Sequence, residues 1–327
     1  MYIKEGNFAL WCDFVERDFL ENEFEKLIED GEINGATSNP AIFKNAFLTS
    51  KAYEDDKDIL RGLTSSQLYE KLAIKDIQIA ADKLKKLYEN GDDGFISIEV
   101  DPNLCNDAKE TIEEGRRLYK EIDRKNVMIK IPATEAGYEA METLISEGIN
   151  INATLVFSPQ QAECCVDALE KGLKKVQDTK KPQAVISVFV SRFDRKLDPS
   201  LSDQLKGKVG IVNATKIYHD IQDKNIKEIR TLFASTGVKG DEYSKDYYIT
   251  ELCYENSVNT APLDTIKAYK QTDDKTIKTP ISKDEIDNFF TQLKSEDVDI
   301  EKVYNELLDE GLKAFVDAYN EILTQIR

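Results

Sequence analysis

The residues of this chain best placed to do chemistry are charged and hydroxyl side chains set inside apolar runs. In Val127-Met-Ile-Lys-Ile-Pro-Ala133, Lys130 stands amid a segment that otherwise reads as a buried strand. Lysine is seldom buried without a partner. One reading is a structural amine, paired with a carboxylate or snorkelling its head to the surface. The other is a nucleophile that sheds its proton and attacks a carbonyl. The strand alone leaves both open. Three carboxylates have comparable settings: Asp13 closes Ala9-Leu-Trp-Cys-Asp13, and Glu99 and Asp101 lie in Ile96-Ser-Ile-Glu-Val-Asp101. Strand alternation puts Ser97, Glu99 and Asp101 on one face. Thr37 and Asn39, Asn152 and Thr154, and Ser187 repeat the theme in other apolar segments. Hydrogen bonding inside a core, or helix capping, accounts for any one of them. Together they suit a barrel active site, where the ends of many strands converge on one pocket.

What the chain lacks narrows the chemistry. Its single histidine, His219, falls in the helical run Ile217-Tyr-His-Asp-Ile221, where a surface position is expected. A histidine-rich zinc site is impossible, and a Ser-His-Asp triad would rest on this one residue with no nucleophile elbow beside it. The five cysteines, Cys12, Cys105, Cys164, Cys165 and Cys253, lack zinc-type spacing and read as buried or half-buried thiols in a reducing cytoplasm. Net charge is −18, from 62 acidic against 44 basic side chains, which argues against nucleic acid or an anionic membrane as partner. A phosphorylated small molecule stays possible, since two or three basic side chains make a local cationic pocket. No apolar run approaches the roughly 20 residues of a membrane helix, and no amino-terminal signal is expected. The chemistry is left to lysine, carboxylates and hydroxyls.

The elements that must position these groups alternate. Strand candidates are Phe8–Val15, Gly35–Asn39, Gly94–Val100, Val127–Ala133, Ala153–Ser158, Ala184–Val190, Leu232–Ser235 and Val258–Ala261, several of them continuously apolar, as parallel strands buried on both faces are. Between them lie helix patterns at Glu21–Asp30, Ser66–Glu89, Asp107–Asp123, Thr134–Glu147, Pro159–Val176 and Ile211–Arg230, with Ser158 as N-cap and Pro159 in the first helical position. Eight strand–helix units over roughly 250 residues predict an α/β fold, a single (β/α)8 TIM barrel. The barrel spans about residues 8–270, and a helical extension at about 280–327, with helices at Glu285–Leu293 and Val303–Leu323, wraps it or its open end as part of one domain.

Seven segments carry a family resemblance. Gly35-Ala-Thr-Ser-Asn-Pro-Ala-Ile-Phe43 resembles the transaldolase signature near the second strand, and Val127-Met-Ile-Lys-Ile-Pro-Ala-Thr134 its active-site lysine motif. Ile96–Val100, Ile151–Ser158, Ile186–Arg192, Ala234–Lys239 and Ser257–Pro262 match further segments in the family's order. The resemblance implies a class I aldolase barrel, with no metal or organic cofactor, that moves a dihydroxyacetone unit from sedoheptulose 7-phosphate to glyceraldehyde 3-phosphate in the cytoplasm. By that likeness Lys130 forms the Schiff base, Asp13 is the general acid/base, and Glu99 moves protons through a water held by Thr154. Asn39, Asn152 and Ser187 hold substrate hydroxyls, with Thr37 and Ser97 in the same shell. Arg192 meets the phosphate, with Ser235 and Lys239 standing where many relatives place a second arginine. Monomer and homodimer both fit. The nearest rival is a fructose-6-phosphate aldolase of the same superfamily. Those enzymes are shorter and carry Gln and Tyr where this chain has Glu99 and Phe189. A catalytically silent barrel kept for sugar-phosphate binding is the alternative from another class.

Overall fold

The computed structural model describes residues 2–177, 181–273 and 275–327. Eight strands, β1 (Phe8–Cys12), β2 (Gly35–Thr37), β3 (Ile96–Glu99), β4 (Val127–Pro132), β5 (Asn150–Val156), β6 (Ala184–Phe189), β7 (Ile229–Ala234) and β8 (Ser257–Ala261), pair in parallel with their sequence neighbours. β1 also pairs with β8, through Ala9↔Val258 to Cys12↔Ala261, and this closes the barrel. Every residue of the eight strands is buried. Their apolar runs are what a two-sided burial demands, one face toward the helices and the other into the barrel.

Helices α1 (Arg17–Glu29), α2 (Pro40–Thr49), α3 (Ser65–Asn90), α4 (Ala108–Ile122), α5 (Glu135–Ser146), α6 (Pro159–Leu173), α7 (Ser191–Leu197), α8 (Val209–Asp223), α9 (Tyr247–Glu251), α10 (Leu263–Lys270), α11 (Lys283–Ser295) and α12 (Ile300–Gln325) fill the rest. Their starts follow local rules. Ser158 caps α6 in a capping box with Gln161, with Pro159 opening the helix as expected, and Thr64 with Gln67 does the same for α3.

Several expectations shift. β5 begins at Asn150 rather than Ala153, because the Asn150 side chain joins the ladder: Nδ2 donates to Val127 O at 3.1 Å, and Oδ1 accepts from Gln183 N at 2.9 Å. The helix read as Ile211–Arg230 stops at Asp223; Asn225 turns the chain at φ 51°, and Ile229–Arg230 belong to β7. Asp101 does not share a strand face with Ser97 and Glu99, since β3 ends at Glu99. It caps the turn Pro102–Leu104 instead, accepting from Asn103 N at 2.8 Å. His219 is half-buried rather than on the surface, its Nε2 2.8 Å from Ile281 O. Residues 2–3 add a short antiparallel strand to β1 that the sequence pattern does not announce.

The extension does what the open end requires. α12 packs along α2 and α3, reaches β5 and α7, and so crosses the C-terminal mouth of the barrel. Surface ion pairs flank the crossing, Lys44 to Glu321 at 2.8 Å and Lys196 to Glu310 at 2.8 Å. Its Gly311 passes so close to the wall that a Cβ there would stand 3.0 Å from Leu155 and 3.2 Å from the Arg192 guanidinium.

Inside the barrel the side chains are layered. Ala9, Trp11, Phe95, Met128, Val185, Leu232 and Val258 form an apolar plug. Below it, at the strands' N-terminal ends, Arg230 meets Asp93. Above it the lining turns polar. A separate buried ion pair lies outside the barrel: Arg17 Nε on α1 donates to Asp76 Oδ1 on α3 at 2.5 Å, and Tyr53 OH donates to Asp76 Oδ2 at 2.7 Å.

Candidate active site

The polar layer at the C-terminal mouth gathers residues from every strand but one. β1 delivers Asp13, one residue past its end, β2 Thr37, β3 Ser97 and Glu99, β4 Lys130, β5 Asn152 and Thr154, β6 Ser187, and β8 Thr260. Alternation explains the selection, because these positions share the inward face while Leu10, Cys12, Ile98, Ile129, Ile131, Ala153 and Ile186 pack outward against the helices.

Lys130 is 5% exposed, and its ammonium donates to Ser38 O at 3.1 Å. Its nearest carboxylate oxygen is Glu99 Oε2 at 3.7 Å, a Coulomb contact too long for a hydrogen bond. Both Glu99 oxygens, and the Thr154 hydroxyl, are buried without a hydrogen-bond partner. Burial pushes the Glu99 carboxyl up to about 7, against the pull of Lys130. Asp13 is half-buried on the other side. Its carboxyl is raised by loss of hydration, while the Lys130 charge and a 2.7 Å hydrogen bond donated by Thr37 oppose the rise. Thr37 is shared with Thr260, Oγ1 to Oγ1 at 2.7 Å. Ser187 donates to Asn152 Oδ1 at 2.7 Å, and Asn152 Nδ2 donates to Ser97 Oγ at 3.2 Å, a chain that fixes the amide plane. The arrangement holds an amine between two carboxyls of unlike environment, with hydroxyls and an amide fixed around them. That is the set a Schiff-base reaction uses.

The backbone departs from regularity here. Among the described residues eight non-glycine residues have positive φ, and six are Asn or Asp, the types that tolerate it. The other two, Leu155 (φ 57°) and Ser235 (φ 55°), both sit at this mouth. At Leu155 the β5–β6 register slips between Ala153 and Val156, a bulge immediately after Thr154. Gln161 Nε2 secures it by donating to Leu155 O and Ala133 O, each at 3.1 Å.

From Asp13 a cleft of about 620 Å³ runs outward between α7, the loop after β7 and α12. Arg192, Ser235 and Lys239 line it, and so does Arg195, one helical turn on from Arg192. Arg192 lies over Phe189 and Phe157, its guanidinium 5.0 and 5.9 Å from the ring centroids, and it makes no ion pair among the described residues. Burial, then the neighbouring Arg195, pull the Arg192 guanidinium down to about 10, the signature of a cation lacking its anion. Lys239 is exposed at the rim, and Ser235 Oγ lies 3.1 Å from Ser191 Oγ.

Asn39 stands apart from the hydroxyl chain: it is the N-cap of α2, its Oδ1 accepting from Ile42 N at 3.0 Å, which leaves its amide nitrogen as the free donor. Three further residues join the site. Thr260 lies in the quoted segment Ser257–Pro262, and its inward alternation was a usable signal. Arg195 repeats Arg192 at helical spacing. Phe315 of α12, with Lys130 Nζ 5.8 Å from its ring centroid, had no signal, since an aromatic on an amphipathic helix reads as core. Cys12 faces the helices, its thiol pushed well up by burial and then by Asp13. All five cysteines are unbridged. Among the described residues, no cluster of three or more His, Cys, Asp or Glu is placed to hold a metal ion, and no helix is long and apolar enough to cross a membrane.

Comparison with known proteins covers the whole of this architecture. Residues 10–326 match the family described as transaldolase/fructose-6-phosphate aldolase. A transaldolase of Campylobacter jejuni is 52% identical over 326 residues, covering 97% of this chain and 98% of that protein. A transaldolase of Helicobacter pylori is 47% identical over 317 residues, with the same coverage of 97% and 98%. Among solved structures, the fructose-bisphosphate aldolase of C. jejuni aligns with 97% of this chain and 90% of that one, at 12% identity and a TM-score of 0.43.

Proposed function

The chain belongs to the transaldolase/fructose-6-phosphate aldolase family, and on that premise we propose that it transfers a dihydroxyacetone unit from sedoheptulose 7-phosphate to glyceraldehyde 3-phosphate. The products are erythrose 4-phosphate and fructose 6-phosphate, within the non-oxidative pentose phosphate pathway and in the cytoplasm, where unbridged thiols persist.

The donor's phosphate docks on Arg192 and Arg195, with Lys239 and Ser235 at the rim, and this carries the ketone toward the plug. Arg192 gives a planar fork, Lys239 only a point charge. Neutral Lys130 adds to the C2 carbonyl to give a carbinolamine. Loss of hydroxide as water requires a proton at that oxygen, and Glu99, lifted to about 7, is a carboxyl able to carry one at neutral pH. A water held by Thr154 and Glu99, whose polar atoms are otherwise unpartnered, relays it. The resulting iminium takes up the electron pair as the C3–C4 bond breaks, while Asp13 removes the C4 hydroxyl proton. The aldehyde leaves as a three-carbon enamine stays on Lys130. Asn152, Ser187, Ser97, Thr37 and the Asn39 amide hold its hydroxyls, and Phe315 shields the imine from bulk water, so the acceptor aldehyde arrives before hydrolysis does. Attack on the acceptor reverses the steps, with Asp13 returning its proton.

One observation carries this reading: a buried lysine faces a carboxyl whose two oxygens have no partner. Incubation with fructose 6-phosphate, borohydride reduction and peptide mapping tests it. The label belongs on Lys130, and a label elsewhere or none removes the mechanism. Turnover measured with and without an aldehyde acceptor separates transfer from simple aldol release. Asp13→Asn should still be labelled but turn over about 10²-fold more slowly, and undiminished turnover would take Asp13 out of its role.

A further inference from the structure

The opposite end of the barrel carries a second cavity, of about 490 Å³, that the reaction does not use. Lys125, Lys181 and Lys227 reach its lining from the loops that lead into β4, β6 and β7, and Arg230 rises into it from β7. One carboxylate, Asp93, lines it as well. That carboxylate is already engaged, because Arg230 Nη2 donates to Oδ1 at 2.5 Å and Trp11 Nε1 donates to Oδ2 at 2.8 Å. Arg230 is 9% exposed, and its Nη1 has no hydrogen-bond partner.

The three lysines make no ion pair among the described residues. Many lysines elsewhere on the surface do, though not all, as Lys75 with Asp56, Lys83 with Glu25 and Lys283 with Asp223 illustrate. Three lysines without an ion pair among the described residues, around one cavity that also holds a buried arginine with an unpartnered Nη1, form a cationic site. Tyr88 and Tyr119 add an aromatic wall to the lining. A cavity of this size falls within the roughly 300–1,000 Å³ of small-molecule sites. Several ammonium groups converging with a guanidinium favour a multiply charged anion over a single carboxylate.

We propose that this cavity binds a phosphate-bearing small molecule, with Lys125, Lys181, Lys227 and Arg230 on the phosphates and the tyrosine wall against the remainder. The site is remote from Lys130, so its occupant is not a substrate. The protein carries its own reporter: Trp11 is the only tryptophan in the chain, and its indole bonds to the carboxylate that holds Arg230.

The test titrates the full-length protein with pyrophosphate and, separately, with ADP, reading Trp11 fluorescence and the heat of binding. The expected result is a saturable response with Kd below about 1 mM. It persists in Arg192→Ala, which disables the phosphate end of the catalytic cleft. It weakens at least about tenfold in Lys125→Ser/Lys181→Ser/Lys227→Ser, while sugar-phosphate turnover by that variant stays at the wild-type rate. Tighter binding of ADP than of pyrophosphate assigns the site to nucleotides through the tyrosine wall, and equal binding assigns it to the phosphates alone. A response that sodium chloride reproduces at equal ionic strength, that survives in the triple variant, or that disappears in Arg192→Ala overturns the proposal.

Discussion

Two buried clusters in this molecule set a cation against carboxylates, and they are built on opposite principles. Around Arg17 every carboxylate oxygen accepts a hydrogen bond, while Arg17 Nη2 is left buried without one. Asp76 accepts from Arg17 at 2.5 Å and from Tyr53 at 2.7 Å, and Asp56 accepts from Arg17 at 2.7 Å. Around Lys130 the nearest carboxylate oxygen stays at 3.7 Å and neither Glu99 oxygen is bonded. Burial lifts both carboxyls, Asp76 to about 6 and Glu99 to about 7. Asp76 is held back by charge and by hydrogen bonds from Arg17 and Tyr53, Glu99 only by a lysine across a gap. A cluster that holds the fold together keeps its carboxylates bonded. A cluster that works leaves its bonding capacity open for substrate and water, and carries the cost in the resting protein.

The largest effect that tests this contrast is chemical. Lys130→Met should lower kcat/KM by about 10³-fold or more and abolish the borohydride adduct, while the melting temperature holds or rises because a poorly paired buried charge is gone. A variant that unfolds several degrees lower would make Lys130 a structural cation and dissolve the distinction. Asp76→Ala should do the reverse. It leaves Arg17 uncompensated and destabilises by about 3–5 kcal/mol in denaturant unfolding, with kcat of the folded fraction unchanged.

The next effect depends on pH. Glu99 in the folded protein holds its proton to a higher pH than in the unfolded chain. From about pH 4.5 to 7 the native state therefore binds more protons, and stability falls as pH rises through that window. Glu99→Gln removes the charge that causes the fall. It should be more stable than wild type at pH 8, by up to about 3 kcal/mol, and should match wild type at pH 4.5, even as turnover drops. Equal stability at both pH values would mean that Glu99 is as well satisfied as Asp76. The smallest effect calibrates the others. Lys85 and Glu89, 3.8 Å apart and exposed on α3, should lose no more than about 0.5 kcal/mol on Lys85→Ala, read from the same unfolding curves.

Most of the candidate site was legible because it breaks a local rule. Lys130, Glu99, Asn152 and Ser187 are polar residues in strands that burial makes otherwise apolar, and the period of two assigns each to the inner face. Ser158 announced its helix through a cap, a proline and Gln161. The illegible parts depend on how elements meet. Asp101 continues the alternation of Ser97 and Glu99 in sequence, yet the strand ends before it and the chain turns. Helix α2 hid inside Pro40-Ala-Ile-Phe-Lys-Asn-Ala-Phe-Leu-Thr49, too apolar to show an amphipathic period, because α12 covers it from outside. Phe315 and the bulge at Leu155 have no local signature at all. One depends on where a distant helix crosses the mouth, the other on a register set by three neighbouring strands.

Leu155 bears on how this enzyme could be hardened against heat. A leucine in the left-handed region costs about 1–2 kcal/mol, yet its side chain is fully buried, so Leu155→Gly would relieve the torsion and still lower the melting temperature, because the lost packing is worth about 2–5 kcal/mol. The bulge it maintains aims Thr154 and backs onto Gly311 of α12. The substitution that relieves the strain would thus loosen both the floor and the roof of the same pocket. Durability and turnover rest together on a single strained torsion.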